Sequence, residues 1–364
     1  MPDRRPERLS ALLTRIADEG LDALVVSHPA NIRYLSGFSG SAGLLLACRQ
    51  GVLFVTDFRY EAQSREEIGD LARIVIDASG SWERLLKLLG DYPLVRSVGY
   101  EAHVVTVREA ERLAGEGAAA WRFQPVTDLV EKLRVAKSPE EVAAIRAAGA
   151  VATAALAEAT AAVRVGQTEL EIAGLLEAAL RRHGSEDYPF PTIVASGPRT
   201  ALPHAGPSPR RVEAGDFLLL DFGAVVDGYT SDVTRTFVVG AAPTERQAEV
   251  FDVVRRAQES ALCGLRSGLS GRQGDALARD VIDAAGHGPA FGHSLGHGLG
   301  LEVHEAPRLA RTAEQTLPES AVVTVEPGVY YSDWGGVRIE DDVVLGAGGA
   351  SLLTQFPRDL LVLG

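Results

Sequence analysis

The chain has 364 residues, 46% of them apolar, and a formal net charge of −13 at pH 7. Its mean hydropathy is +0.05 and its pI is near 5.2. This length exceeds one ordinary hydrophobic core and predicts two domains. The acidic balance and the scattered basic residues exclude nucleic acid as a partner, because phosphate binding needs concentrated positive charge. No apolar run stands out as a bilayer-spanning segment, so we expect no membrane partner.

The first domain, residues 1–133, alternates helix and strand patterns and is predicted to be α/β. Its predicted elements are a helix over 6–19, a strand over 23–28, a hairpin of GLLLACR and GVLFVTD, and strands over 73–78 and 97–102. The helical spacing of leucines in the first helix differs from a signal peptide. His28 and His103 stand alone and are expected to be structural or surface residues. Cys48 and Cys263 are expected to be buried thiols of a cytoplasmic protein.

The second domain, residues 134–364, begins where LRVAKSPEEVAAIRAAG carries a helix start. Ser138 and Glu141 form a capping box with Pro139 in the first turn, which predicts a helix to about residue 163. A helix over 169–183 and a loop-like, proline-rich stretch over 188–209 follow. Strand patterns then dominate, interrupted by predicted helices over 244–267 and 274–285. We therefore expect an α+β domain.

Two aspartates lie on a predicted hairpin within FLLLDFGAVVDGYTSDVTRTFVV. If Asp227 and Gly228 form its loop, Asp232 faces Gly223, and Asp221 lies on the same face as Asp232, on a diagonal. Carboxylates on such a diagonal can hold a metal ion between them. The alternative is a pair of surface aspartates, but the preceding apolar run is typical of a strand buried on both faces.

The segment FGHSLGHGLGLEVHE carries three histidines separated by glycines. His293 and His297 have the spacing of a zincin motif but lack its glutamate and its helix, so a zincin site is excluded. Dense glycine favours a backbone packed closely against a ligand. A chance cluster is the alternative, although His204 also falls in a candidate site segment of this domain.

Two glutamates end or occupy apolar strands further along the chain. Glu326 stands at the end of VVTV, where Pro and Gly mark the strand terminus, and Glu340 is predicted to lie within the strand GGVRIEDDVVL. Arg338 shares a face with Glu340 and is expected to hold a carboxylate in place. The alternative for Arg338 is a surface salt bridge of little consequence.

If these segments converge, four carboxylates and one imidazole form an oxygen-rich metal site. Such a cluster needs cations to balance it in a buried place. It suits two fairly hard divalent ions better than a structural zinc site, which uses more cysteine or histidine. The predicted ligands are Asp221, Asp232, His297, Glu326 and Glu340.

In their order and context, these motifs resemble the pita-bread metallopeptidases: methionine aminopeptidase, prolidase and aminopeptidase P. The match spans about residues 137–364 and implies a creatinase-like N-terminal domain before an α+β pita-bread domain. The resemblance implies that Asp221 and Glu340 bridge two metals, that Asp232 chelates one, and that His297 and Glu326 bind the other. It further implies that Glu326 is the general base and that three histidines contact substrate or the scissile carbonyl: His204, His293 and His304.

The N-terminal domain narrows the expected substrate. NIRYLSGFSGSAG and FVTDFRYEAQ resemble segments of Xaa-Pro peptidases, which implies proline-containing dipeptides or oligopeptides as substrates. Prolidase and aminopeptidase P both stay open. Arg308 stands where some prolidases have an arginine that grips a dipeptide carboxylate; the alternative is a solvent-exposed loop arginine. A methionine aminopeptidase-like hydrolase and, less favoured because all five ligands are kept, a non-catalytic binding protein are the competing functions.

The metal is expected to be manganese first, with cobalt or zinc tolerated by the same ligands. The resemblance also implies a homodimer.

Overall fold

The computed structural model describes residues 3–78, 81–116 and 120–364, and it divides into two compact units, one up to Arg134 and one from Val135. The division falls one residue from the predicted boundary. Within the described residues, five short 3₁₀ helices accompany the main elements: Phe58–Tyr60, Gly69–Leu71, Leu89–Asp91, Gly197–Ala201 and Gly288–Ala290.

The first unit is a six-stranded sheet with helices. In its described residues the helices are α1 (Arg5–Asp18), α2 (Pro29–Ser36), α3 (Glu61–Ile68), α4 (Ser81–Leu88), α5 (Val107–Glu116) and α6 (Glu131–Arg134). The strands are β1 (Ala23–Val26), β2 (Leu44–Cys48), β3 (Gly51–Thr56), β4 (Arg73–Ile76), β5 (Ser97–Glu101) and β6 (Arg122–Val126). The strand order is β4-β3-β2-β1-β5-β6, and the predicted hairpin of β2 and β3 is confirmed.

The second unit packs long helices on two sheets. Its helices are α7 (Pro139–Ala162), α8 (Glu169–Arg182), α9 (Glu245–Gly264) and α10 (Gly271–Ala284). Its strands are β7 (Ile193–Ser196), β8 (Phe217–Phe222), β9 (Val225–Val226), β10 (Tyr229–Thr230), β11 (Val233–Val239), β12 (Gly296–Gly298), β13 (Glu305–Leu309), β14 (Val322–Val325), β15 (Gly328–Tyr331), β16 (Gly335–Arg338), β17 (Asp341–Gly346), β18 (Gly349–Leu352) and β19 (Val362–Leu363).

One sheet has the order β19-β11-β8-β7 and the other the order β13-β12-β14-β17-β18, while β15 and β16 form a separate hairpin. Apolar side chains of α7 and α8 pack on the first sheet. Those of α9 and α10 form a core with β14, β15, β16 and β17. Main-chain and hydroxyl contacts join β11 to the region of β16 and β17: Glu340 N donates to Thr234 O at 3.1 Å. The two sheets therefore meet at the segments that carry the predicted ligands.

Helix α7 begins as the sequence predicts. Ser138 accepts from Glu141 N, Glu141 returns a hydrogen bond to the cap backbone, and Pro139 stands in the first turn. By length and composition this helix could cross a membrane, so the expectation that no apolar run is this long was wrong. Residues at helical spacing, such as Ala148, Ala152 and Ala155, are fully buried, as in a core helix.

Three other expectations were wrong in detail. The proline-rich stretch contains strand β7, which pairs with β8; only four residues are extended there, too few to stand out between prolines. Glu340 lies between β16 and β17 rather than within one strand. Cys48 is buried but Cys263 is exposed, and both thiols are free.

Candidate metal centre

The predicted aspartate hairpin forms with the predicted register. Val226 pairs with Tyr229 around the loop, and Asp221 pairs with Thr234 further along the two strands. This register places Asp232 opposite Gly223. A Cβ atom on Gly223 would lie 2.0 Å from Ser231 O, so only glycine fits there. Both aspartates are buried, with 7% exposure for Asp221 and 5% for Asp232.

The glycine-rich segment 291–305 brings an imidazole to these acids. His297 lies on β12, and its Nε2 is 3.3 Å from Oε1 of Glu326 and 3.9 Å from Oδ2 of Asp232. One ligand atom each from Asp232, His297 and Glu340 lie within 4.8 Å of one another. Four of the five predicted ligands are thus linked by these distances, and the fifth, Asp221, is connected to Glu340 through Arg338 and Thr234.

Several carboxylate oxygens of this cluster are buried without a partner. Among the described residues, no hydrogen-bond donor reaches Oδ1 of Asp221, Oδ1 of Asp232, Oε1 of Glu340 or Oδ1 of Asp342. Buried acceptors left unpaired are costly and uncommon in folded proteins. A set of unpaired, hard oxygen donors beside one imidazole fits divalent cations.

The electrostatics of the metal-free cluster favour neutral acids. Burial raises the pKa of Asp232 well above its usual range, and Glu340 and Asp221 add to the effect. Burial and the charges of Glu326 and Asp221 likewise raise the pKa of Glu340. Like charges this close cannot all ionise without compensation. Cations would supply that compensation.

His297 and Glu326 behave as a pair. Burial lowers the pKa of His297, but the hydrogen bond and charge of Glu326 outweigh it and the net shift is upward. For Glu326, burial raises the pKa, yet the contact with His297 and further positive groups give a net lowering. The two opposite shifts favour a charged imidazolium–carboxylate pair, so metal binding at His297 is coupled to release of the imidazole proton.

Arg338, which the sequence predicts to hold a carboxylate in place, makes its ion pair with Asp221. The guanidinium makes a short ion pair with Oδ2 of Asp221, and Nε donates to Thr234 Oγ1 at 3.1 Å. Arg338 is 3% exposed. Arginine in such a position leaves only the other oxygen of Asp221 for a metal, and fixes its direction.

Sequence reasoning missed two threonines that support the ligands. Thr234 donates to Oε2 of Glu340 at 2.5 Å. Thr324 donates to Oε1 of Glu326 at 3.1 Å and accepts from the His297 amide at 3.1 Å. Each threonine lies two residues from a predicted ligand on a strand pattern, so the alternation of faces could have identified both.

Tyr330 is a further residue that sequence reasoning missed. Its hydroxyl accepts from Arg338 at 2.7 Å and lies 3.0 Å from Nε2 of His293. Burial raises its pKa to about 12. One hydroxyl thus connects the arginine that holds Asp221 to His293, and no sequence motif marks it.

Replacing Tyr330 with phenylalanine is expected to lower kcat about 10-fold, because a buried hydrogen bond to a charged group contributes roughly 1.5 kcal/mol. Steady-state kinetics would measure this. The matched control is Tyr331→Phe, since the Tyr331 hydroxyl bonds His287 instead. Equal activity of the two variants would contradict a role for the Tyr330 hydroxyl.

The other predicted histidines lie around the cluster at different distances. The ring of His304 is 4.3 Å from that of His297, centroid to centroid. His293 is joined to the site through Tyr330. His204 is exposed, and among the described residues it makes no hydrogen bond. Burial raises the pKa of Asp221, Arg338 lowers it and Glu326 raises it, and His204 adds a smaller lowering. It is therefore near the acids without touching them.

Two protein-family descriptions match parts of this chain. The description of metallopeptidase family M24 matches residues 143–347, and that of the creatinase/prolidase N-terminal domain matches residues 8–136. The chain belongs to metallopeptidase family M24. The predicted resemblance is confirmed, as are the α/β N-terminal and pita-bread C-terminal fold classes. As an M24 metallopeptidase, the chain is a hydrolase that uses divalent metal ions.

Similar M24 proteins cover nearly the whole chain. An Xaa-Pro dipeptidase of Pyrococcus furiosus is 34% identical over 98% of this chain and 99% of its own length. The structure of an Xaa-Pro dipeptidase from Bacillus anthracis has a TM-score of 0.94 and 37% identity, covering 99% of this chain and 100% of that one. An X-Pro aminopeptidase from Thermotoga maritima has a TM-score of 0.90 and 37% identity, with 98% and 99% covered.

Proposed function

We propose that this chain is a metal-dependent Xaa-Pro peptidase that hydrolyses the bond between an N-terminal residue and a following proline. The observation that carries the proposal is the buried group of unpartnered oxygens on Asp221, Asp232 and Glu340 beside His297. The similar proteins named for Xaa-Pro and X-Pro cleavage support the substrate class.

In this proposal the ligands are Asp221, Asp232, His297, Glu326 and Glu340. Divalent ions held there supply the Lewis-acid chemistry of hydrolysis, activating water and polarising a carbonyl. The protein supplies position: Arg338 fixes Asp221, Thr234 fixes Glu340, and Thr324 fixes Glu326.

Glu326 is proposed to take and return the proton during hydrolysis. Its side chain is 16% exposed, against 8% for Asp232 and 10% for Asp221, so of these three carboxylates it is the one substrate and water reach most readily. Its lowered pKa keeps it ionised near neutral pH in the metal-free chain.

The histidines outside the ligand set are proposed to contact substrate. Burial and the neighbouring His297 lower the pKa of His304, and burial lowers that of His293. Both rings are therefore neutral near pH 7, and His304 can donate one hydrogen bond to a developing oxyanion. The single proton of His293 is on Nδ1, which donates to Ser294 O at 2.8 Å, so its Nε2 accepts from the Tyr330 hydroxyl. Exposed His204 is proposed to close the site from the side of Asp221.

We further propose a preference for dipeptides. Arg308 on β13 lies directly opposite His297 on β12 in the sheet register, and its side chain is exposed. Among the described residues its guanidinium has no ion pair. An unpaired guanidinium one strand from a proposed ligand fits the free carboxylate of a C-terminal proline. The runner-up is an aminopeptidase acting on longer peptides, which the Thermotoga maritima neighbour favours.

The test compares hydrolysis of Ala-Pro, Ala-Pro-Ala and Met-Ala-Ser with Mn²⁺. Cleavage of Ala-Pro alone is expected. Cleavage of Ala-Pro-Ala as well would select the longer-peptide alternative, and cleavage of Met-Ala-Ser alone would overturn the Xaa-Pro proposal in favour of a methionine aminopeptidase-like enzyme.

Arg308→Met is expected to raise KM for Ala-Pro about 10- to 100-fold, because a hydrogen bond to a charged group contributes roughly 1.5–3 kcal/mol. Arg311→Met removes another exposed arginine nearby and serves as the control. An unchanged KM in Arg308→Met would exclude a carboxylate contact.

Manganese is proposed as the metal, because the set is rich in oxygen donors, with cobalt or zinc as alternatives. The homodimer and the cytoplasmic location stay predictions.

A further inference from the structure

A buried ion pair on α10 lies beside the glycine-rich segment 291–305, here named the histidine segment. Nε of Arg279 is 2.5 Å from Oδ2 of Asp275, and Nη2 is 2.9 Å from Oδ1. The two residues are 6% and 1% exposed. The pair is four residues apart on one helix face, as an intrahelical pair requires.

The pair extends into the backbone of the histidine segment at three alternate residues. Arg279 donates from Nη1 to Phe291 O at 3.1 Å and from Nη2 to His293 O at 2.7 Å. Asp275 Oδ1 accepts from Leu295 N at 3.0 Å. Asp275 and Arg279 therefore both hold the stretch of backbone that carries His293.

A second contact reaches the same histidine through rings. Cζ of Arg279 stands 4.0 Å above the Phe291 ring, which meets the His293 ring edge-on at a centroid distance of 5.1 Å. Nε2 of His293 lies 3.0 Å from the Tyr330 hydroxyl, and Nδ1 lies 2.8 Å from Ser294 O. The imidazole is thus contacted by the ion pair through Phe291 and by the site through Tyr330.

Stability does not account for such a pair. A buried ion pair loses about as much by desolvation as it gains by attraction, and apolar replacements of both partners are often neutral. The backbone of the histidine segment has little intrinsic stiffness, because it contains Gly292, Gly296, Gly298 and Gly300. It therefore depends on contacts with other residues to keep its conformation. Fixing that backbone is the contribution that the contacts show.

We propose that Asp275 and Arg279 are positioning residues that hold His293, and through it the Tyr330 hydroxyl, in the place that the transition state requires. The proposal rests on the proposed function of His293 at the scissile carbonyl. Because an interaction made only in the transition state changes kcat and leaves KM, the pair should set kcat and not substrate binding.

The test is the double variant Asp275→Leu with Arg279→Met, which leaves no buried charge unpaired and removes the oxygen that accepts from the Leu295 amide. The expected result is a kcat about 10-fold lower for Ala-Pro, a KM within about twofold of the parent, and unchanged Mn²⁺ binding by titration calorimetry. Hydrogen exchange at the Leu295 amide should accelerate at least about 10-fold, while the melting temperature stays near that of the parent.

The control is Asp252→Leu with Arg256→Met on α9. This pair has the same four-residue spacing, with Nε 2.8 Å from Oδ2, but its side chains are 47% and 51% exposed. It should leave kcat and exchange unchanged. If the first double variant folds poorly, Arg279→Lys keeps the charge but cannot reach both carbonyls, and a lowered kcat is again expected.

Parental kcat together with parental exchange in the Asp275/Arg279 variant would overturn the proposal. So would a loss of kcat that merely follows a lowered melting temperature and disappears at lower assay temperature. An inactive parent would instead defeat the proposed function. Hydrogen exchange needs no substrate, so it can be measured even if the parent is inactive. Exchange at the Leu295 amide that is as slow in the variant as in the parent would exclude the positioning contact.

Discussion

Replacing Glu326 with alanine is expected to abolish turnover of Ala-Pro, with kcat lower by at least about 10³-fold, because this side chain is proposed to serve as both ligand and proton carrier. Its Oε1 lies 3.3 Å from Nε2 of His297 and accepts from Thr324 at 3.1 Å. These two contacts hold one oxygen in a fixed direction. Among the described residues Oε2 accepts no hydrogen bond, and it is the oxygen proposed to take the proton of the attacking water.

Glu326→Gln separates the two roles. The amide keeps the shape and one oxygen donor but cannot accept a proton at neutral pH, so kcat should fall nearly as far as in the alanine variant. Measured Mn²⁺ content would show whether metal was lost. Glu319→Gln, at an exposed glutamate earlier in the same segment, is the control. Near-normal activity of Glu326→Ala would end the assignment of this residue as the base.

The aspartate hairpin shows what local pattern can predict. Strand pairing has a period of two, and the turn at Asp227 and Gly228 sets the register, so the shared face of Asp221 and Asp232 follows from the sequence. Both central residues of that turn have positive φ, 50° and 73°, as a tight hairpin turn requires. The register observed over β8 and β11 agrees with this prediction.

The partner of Arg338 shows what local pattern cannot predict. Parity places Arg338 beside Glu340, yet its guanidinium pairs with Asp221, far away along the chain. Arg338 lies on the separate β15–β16 hairpin, and Asp221 lies on the sheet that contains β8 and β11. Their contact depends on how the hairpin and the sheet meet, which is decided by packing over many residues. Tyr330 escaped prediction for the same reason, because its hydroxyl finds Arg338 and His293 only in the folded chain.

The choice of His297 over His293 as the metal ligand could be predicted from the sequence only in part. The glycine spacing marks both as special, but only the resemblance to known peptidases could choose between them. In the structure His297 contacts Glu326 and Asp232, whereas His293 contacts Tyr330. Strand β7 was missed because its short extended run is hidden among prolines.

Metal removal is expected to destabilise this chain increasingly as pH rises. Burial first, and then neighbouring acids, raise the pKa of Asp232 and of Glu340 well above the ordinary carboxylate range. A raised folded pKa means that the folded metal-free chain holds protons that the unfolded chain releases. The full stability is present below the ordinary pKa of about 4 and is lost as pH rises through the folded values.

Bound cations reverse this dependence, because they favour the ionised acids. At an ion concentration 100 times Kd, one site stabilises the fold by about 2.7 kcal/mol, which raises the melting temperature by roughly 5–10 °C. The difference between melting temperatures with Mn²⁺ and with a chelator should therefore be larger at pH 8 than at pH 5.5. Scanning calorimetry at both pH values would measure it.

Asp232→Asn tests whether the cluster causes the effect. The variant loses one buried acid and one proposed ligand, so its metal-free form should be less sensitive to rising pH and Mn²⁺ should stabilise it far less. Asp280→Asn, at an exposed position of α10, should behave as the parent. Equal melting temperatures with Mn²⁺ and chelator in the parent at both pH values would contradict the proposed centre. The unpaired oxygens of Asp221, Asp232 and Glu340 would then need other partners.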